Sequence, residues 1–172
     1  MPLYVFGYGS LMWRPDFPYR DRQTATIRGH HRRLCVYSWV HRGSKARPGL
    51  VLGLDEGGAC RGALFEVDDE HREAVIANLR AREQVTMVYL ERTLAVTTDT
   101  GTTIDALTYV VDRAHPQYAG PLSVEETVGV VRGAIGRSGR NEDYVLSTAD
   151  HLSDVGIEDG QLTQVAQALR AR

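Results

Sequence analysis

The strongest constraint on how this chain can fold is a change of texture partway along it. Between residues 3 and 67, short runs rich in Val, Leu, Tyr and Phe alternate with glycine-bearing breaks. That is the pattern of strands separated by turns. Strands are predicted at residues 3–6, 24–28, 34–40, 50–54 and 63–67, and Glu56-Gly57-Gly58 reads as a hairpin turn between the last two. Asp68-Asp69-Glu70 then opens a helix whose Val75, Ile76 and Leu79 share one face and which ends near Arg82 and Glu83. Strand character returns at 85–96 and 104–111, on either side of a turn at Asp99-Thr100-Gly101. After Pro116 and Pro121 the pattern becomes helical. Ser123-Val124-Glu125-Glu126 has the form of a capping box, with Ser123 as N-cap. Helices are predicted at about 124–135, 142–152 and 158–169. The fold class that accommodates all this is α+β: a mixed curved sheet or small β-barrel, one inserted helix and a helical C-terminal third. No repeat or long linker divides the 172 residues, so a single domain over 1–172 is expected.

Charge and composition remove several classes of function. A formal net charge of −2 is too small to favour nucleic acid or an anionic membrane. Lys45 is the only lysine, so the positive charge is almost entirely arginine. No apolar stretch approaches the roughly 18 residues of a membrane span. The N-terminus, Met1-Pro2-Leu3-Tyr4-Val5-Phe6, lacks the basic region of a signal peptide. Cys35 and Cys60 are too few for a disulfide framework and sit in apolar runs, where small buried thiols are expected. These readings together predict a cytoplasmic protein with no nucleic-acid or membrane partner.

Two positions offer chemistry. In Gly7-Tyr8-Gly9-Ser10-Leu11 a strand runs into closely spaced glycines. Such a turn can aim backbone N–H groups at one point and cradle an anion or a developing oxyanion. It is equally the form of a plain tight turn. Met12 stands where a dinucleotide fingerprint needs its third glycine, and Ser10 is not bracketed as in a nucleophile elbow. Glu83 is the second position. A carboxylate at a helix C-terminus faces the negative end of the dipole, which raises its pKa unless Arg80 or Arg82 compensates. A glutamate tuned upward suits proton transfer, and a solvated helix-end charge is the plainer reading.

The other clusters are weaker. Adjacent His30 and His31 point to opposite faces of a strand, and no zinc-binding spacing occurs, so no metal or other cofactor is expected. Arg28-Gly29-His30-His31-Arg32-Arg33 reads as a strand with a polar outer face. Arg47, in Arg47-Pro48-Gly49-Leu50, is placed to meet a carboxylate in bidentate fashion.

Taken in order, the motifs resemble the ChaC family of γ-glutamylcyclotransferases. Val5-Phe6-Gly7-Tyr8-Gly9-Ser10-Leu11-Met12-Trp13 is similar to the family's opening motif. Arg47-Pro48-Gly49-Leu50-Val51-Leu52-Gly53-Leu54, Arg82-Glu83, Tyr118-Ala119-Gly120-Pro121-Leu122-Ser123 and Gly139-Arg140-Asn141-Glu142-Asp143-Tyr144-Val145-Leu146 follow in sequence. Leu152-Ser153-Asp154-Val155-Gly156-Ile157-Glu158-Asp159 completes the set, so the likeness spans nearly the whole chain. The resemblance implies a compact barrel with flanking helices that converts glutathione to 5-oxoproline and cysteinylglycine without metal or nucleotide. It makes Glu83 the catalytic acid/base, with Tyr8, Gly9, Ser10 and Leu11 holding substrate and Arg47 and Tyr144 joining the pocket. One departure stands out: the family often carries glycines after the glutamate, where this chain reads Gln84-Val85-Thr86-Met87-Val88-Tyr89. Bulkier residues there narrow the expected pocket. The alternatives from the sequence are a cyclotransferase for other γ-glutamyl amino acids or amines, or a non-catalytic module that binds a γ-glutamyl metabolite.

Overall fold

The computed structural model describes residues 1–84, 87–158 and 160–171. Among the described residues, seven strands and four α-helices follow in the order β1 (Leu3–Gly7), β2 (Asp21–Ser38), β3 (Gly49–Val67), α1 (Arg72–Glu83), β4 (Tyr89–Thr98), β5 (Thr103–Val111), α2 (Val124–Val131), β6 (Ile135–Gly136), β7 (Gly139–Arg140), α3 (Asn141–Asp154) and α4 (Gly160–Arg170). The first five strands close into a barrel in the order β1-β3-β2-β4-β5. Chain contacts separate two compact units, one of Met1–Arg32 with Leu54–Asp112, the other of Arg33–Gly53 with Arg113–Arg172.

In the first unit, β1 lies between two neighbours. It runs antiparallel to β3, from Leu3 opposite Val67 to Gly7 opposite Ala63, and parallel to β5 at Val5 and Leu107. Leu3 and Val5 on one face of β1 and Phe6 on the other are all buried. β4 and β5 form a regular antiparallel ladder from Tyr89 opposite Val111 to Thr97 opposite Thr103. The turn between them is closed by Gly101 N–H donating to the Thr98 carbonyl at 2.9 Å. α1 packs through Val75 and Leu79. Burying each such side chain contributes about 1.5–3 kcal/mol.

The expected hairpin at Glu56-Gly57-Gly58 is not a hairpin: β3 runs through it as one strand of 19 residues. The 24–28 and 34–40 predictions likewise merge into β2. Gly29 at φ 87, and Gly57 and Gly58 at φ 101 and 72, bend the long strands instead of reversing them. A glycine pair therefore marks a kink here, because the register on either side remains worth keeping.

In the second unit the capping box forms as read. Glu126 N–H donates to Ser123 Oγ, and Ser123 N–H to Glu126 Oε1, both at 3.0 Å. α2 stops at Val131, short of the expected 135. Gly133 turns the chain at φ 78, and Ile135–Gly136 pairs with Gly139–Arg140 in a short hairpin. α4 packs against α2 and α3, burying Leu162, Val165, Ala166 and Leu169. Its expected start at 158 runs through Asp159, which lies outside the described residues.

Candidate active site

The end of β1 builds the first half of the site. At Gly62, opposite the strand end, a Cβ would lie 2.4 Å from the Gly7 carbonyl oxygen, so only glycine permits the two backbones to approach this closely. The chain then folds back in a 3₁₀ turn at Ser10–Met12. Met12 N–H donates to the Gly9 carbonyl at 2.9 Å, and Arg14 N–H to the Ser10 carbonyl at 2.7 Å. Leu11 and Met12 are buried beneath the turn, while Ser10 is exposed. The first N–H groups of such a turn have no acceptor within it. In this turn those are the N–H groups of Ser10 and Leu11.

A buried arginine holds this turn from behind. Arg32, only 2% exposed, donates through Nε to the Tyr8 carbonyl at 2.5 Å and through Nη2 to the Arg61 carbonyl at 2.6 Å. The polar-outer-face reading of the 28–33 stretch is therefore corrected at Arg32. Strand alternation carried the signal: Arg32 shares the parity of Leu34 and Val36, both buried.

α1 supplies the second half. Glu83 closes the helix, and its side chain is 19% exposed. Its pKa is raised, chiefly because burial penalises the charged form, with the Arg82 guanidinium pulling the other way. The sequence attributed such a rise to the helix dipole; burial is the larger cause. Of the two arginines named as compensators, Arg80 is committed elsewhere. It grips Glu91 of β4 through Nε at 3.0 Å and Nη2 at 2.9 Å. Glu91 also accepts from the hydroxyl of buried Tyr109 at 2.8 Å, and its pKa is lowered, mainly by Arg80. Tyr109 is pushed well above the ordinary tyrosine range, first by burial and then by Glu91, with the charge of Glu83 also contributing.

Arg82 joins the two halves. Its Nη2 donates to Ser10 Oγ at 2.7 Å and its Nη1 to the Arg14 carbonyl at 2.8 Å. Its Nε lies 3.7 Å from Glu83 Oε1. The fold therefore brings the 8–11 loop and Glu83 to one end of the first unit, linked by a residue that the sequence reading treated only as a nearby charge.

Arg47 and Tyr144 belong to the second unit. Arg47 Nη2 donates to the Arg132 carbonyl at 2.6 Å, capping the end of α2. The Tyr144 hydroxyl accepts from Leu52 N–H at 3.1 Å, and Arg42 stands over its ring at 5.4 Å. In the segment after Glu83, Gln84 Nε2 donates to the Tyr89 carbonyl at 3.2 Å and Val88 is buried. Met87 is exposed at φ 62. Val85 and Thr86, where the narrowed pocket was expected, lie outside the described residues. Among the described residues no group of three or more His, Cys, Asp or Glu could hold a metal ion. None of the described helices is long and apolar enough to cross a membrane.

Comparison with known proteins adds an independent line. Residues 3–172 match the family described as ChaC-like protein. The glutathione-specific γ-glutamylcyclotransferase of Escherichia coli is 31% identical, over 98% of this chain and 73% of its own length. Glutathione-specific γ-glutamylcyclotransferase 1 of Danio rerio is 35% identical, over 98% of this chain and 89% of its length. The human protein of the same description is 34% identical over 97% and 78%. Among solved structures, a yeast γ-glutamyl cyclotransferase specific to glutathione superposes with a TM-score of 0.87 at 22% identity, over 98% of this chain and 96% of that one.

Proposed function

This chain belongs to the ChaC-like protein family, and on that premise we propose that it is a glutathione-specific γ-glutamylcyclotransferase with Glu83 as its acid/base. The observation that carries the residue assignment is the pairing of a largely covered carboxylate of raised pKa with the 8–11 turn, tied together by Arg82. The names of the relatives support the substrate.

The chemistry follows from what the substrate lacks. The α-amine of a γ-glutamyl group is mostly protonated near neutral pH and cannot attack in that form. Ionised Glu83 takes a proton from the ammonium. The freed amine attacks the γ-carbonyl carbon, closing a five-membered ring and placing negative charge on the carbonyl oxygen. N–H groups of the 8–11 loop hold the γ-glutamyl group and meet that charge. The bond to the cysteine nitrogen then breaks. Protonated Glu83 returns its proton to the leaving amine, releasing 5-oxoproline and cysteinylglycine. The second proton on the ring nitrogen passes through the same carboxylate to the departing amine, which leaves as an ammonium, so Glu83 ends as the carboxylate it began as. Attack within one molecule already carries an effective molarity of roughly 10⁵–10⁸ M, and the protein's work is to select the folded-back conformer.

Arg47 and Tyr144 remain in this proposal as substrate-binding residues, on the family likeness of the motifs that carry them. The single domain over 1–172 belongs to it too, supported by the family match across 3–172. A cytoplasmic setting is supported by Cys35 and Cys60, both buried free thiols. The test is incubation of purified protein with glutathione, followed by assay for 5-oxoproline and cysteinylglycine in equal amounts. 5-Oxoproline from a γ-glutamyl amino acid, with none from glutathione, would move the substrate assignment. Tight binding of glutathione without product would leave only a binding module.

A further inference from the structure

We infer that Arg82 is a positioning residue that sets the reach of Glu83 to the bound γ-glutamyl group by clamping the 8–16 segment to the end of α1. The inference rests on the reading of Glu83 as the acid/base and deepens it. Arg82 is only 25% exposed, and its contacts divide into two sets. Toward the loop, Nη2 holds Ser10 Oγ at 2.7 Å, while Nη1 holds the Arg14 carbonyl at 2.8 Å and the Pro15 carbonyl at 3.5 Å. Nη1 also lies 3.5 Å from Asp16 Oδ2. Toward the helix end, Nε faces Glu83 Oε1 at 3.7 Å. A guanidinium is a rigid planar fork with donors on both edges, so it transmits a fixed spacing between what it holds.

A second observation comes from the loop itself. Asp16 sits at φ 58, a left-handed conformation that a non-glycine residue keeps when its surroundings hold it there. The surroundings are again α1: Asn78 Nδ2 donates to the Asp16 carbonyl at 3.1 Å, one helical turn before Arg82. Two side chains on one stripe of α1 thus grip the same segment. Nothing in a surface charge pair requires five oxygens from the loop and the helix end to converge on one arginine.

The same contact acts on the acid/base. Among the described residues, the charged or titratable groups facing Glu83 are Arg82 on its own helix and Tyr109 from β5. Arg80, the other cation nearby, is spent on Glu91. Arg82 is therefore the cation that opposes the rise burial imposes on Glu83.

The test compares Arg82→Gln and Arg82→Lys with wild type. It follows glutathione turnover as a function of pH and the Glu83 carboxyl directly by carbon-13 NMR titration. Arg82→Gln should lower kcat/KM by roughly 10- to 100-fold, mostly in kcat, as expected for a misplacement of about 1 Å. The Glu83 titration and the acid limb of the profile should both move to higher pH. Arg82→Lys should keep the titration close to wild type, because the charge remains. It should still lose kcat, because one ammonium cannot span Ser10 and Arg14 together. Wild-type kcat in both variants overturns the inference. So does a loss in Arg82→Gln with the Glu83 titration unmoved, since that marks a merely structural role. If Arg82→Gln does not fold, Arg82→Lys carries the test alone: lost kcat with a kept titration supports the clamp, and wild-type kcat overturns it. Glu83→Gln, assayed alongside, separates this inference from the reading beneath it. Wild-type turnover in Glu83→Gln removes the acid/base assignment, whereas an inactive Glu83→Gln beside unaffected Arg82 variants removes only the clamp.

Discussion

Arg80 and Arg82, two residues apart on α1, each meet a carboxylate, and the two pairs have opposite characters. Arg80 meets Glu91 as a complete fork, with both nitrogens at hydrogen-bond distance, and the carboxylate is held below its usual pKa. Arg82 faces Glu83 across 3.7 Å with its terminal nitrogens already given to the loop, and that carboxylate is buried and tuned upward. The residue types are the same. What differs is where the arginine's donors are spent. A saturated pair makes a structural brace, while an unsaturated one leaves a carboxylate able to accept a proton and return it. Neighbouring carboxylates pushed in opposite directions are how a fold assigns separate roles to one kind of group.

The comparison breaks most readily at Glu83. Glu83→Gln should cost turnover of glutathione by roughly 10²- to 10⁴-fold, the usual size of a general acid–base contribution, with an unchanged circular dichroism spectrum. Glu91→Gln keeps an oxygen for the Tyr109 hydroxyl and should leave kcat/KM within about threefold, since a partly exposed ion pair is worth only about 0–1 kcal/mol. Equal losses in the two variants would erase the distinction between brace and catalyst.

A pH profile sharpens it further. Glu83 must be ionised to take the substrate's proton, so kcat/KM should fall about tenfold per pH unit on the acid side. The midpoint should stand above the ordinary glutamate value, as the raised pKa requires. Glu91→Gln should leave this limb in place.

The smallest effects lie in stability, and there the two carboxylates have opposite signs. A carboxylate whose folded pKa is depressed adds stability that is present above its unfolded pKa and lost as pH falls through the folded one; that is Glu91. One whose folded pKa is raised adds stability only below its unfolded pKa, and loses it as pH rises through the folded value; that is Glu83. At pH 7, Glu83→Gln should therefore raise Tm and Glu91→Gln should lower it. Each shift should amount to a few degrees at most, at roughly 2–4 °C per kcal/mol for a chain of this size. Thermal scans at pH 7 and pH 4.5 would show both differences shrinking at the lower pH.

The parts legible in the sequence are those whose signal is local. The strand–glycine–turn of the 8–11 loop, the end of α1 at Glu83 and the Ser123–Glu126 box each lie within a few residues, and each formed, while the acidic 68–70 run opens a 3₁₀ turn and α1 itself begins at Arg72. The misreadings needed information from elsewhere in the chain. Gly57 and Gly58 have the composition of a reversal, but β3 carries on past them as one strand. Arg32 looked like surface charge because its acceptors, the Tyr8 and Arg61 carbonyls, are 24 and 29 residues away. Arg82 was legible as a charge but not as a link, for the same reason: Ser10 lies 72 residues before it.

Arg32 and Arg82 grip the 8–16 segment largely by its backbone oxygens, those of Tyr8, Arg14 and Pro15. Every amino acid supplies such an oxygen, so that part of the hold does not depend on which side chains the loop carries. In a mutational library the tolerance map should accordingly be inverted. Position 14, inside the loop, should accept broad substitution with activity kept. Positions 32 and 82, outside it, should admit almost none. The loop's sequence can drift, and could be redesigned for a different acyl group, as long as the two arginines that address its backbone stay where they are.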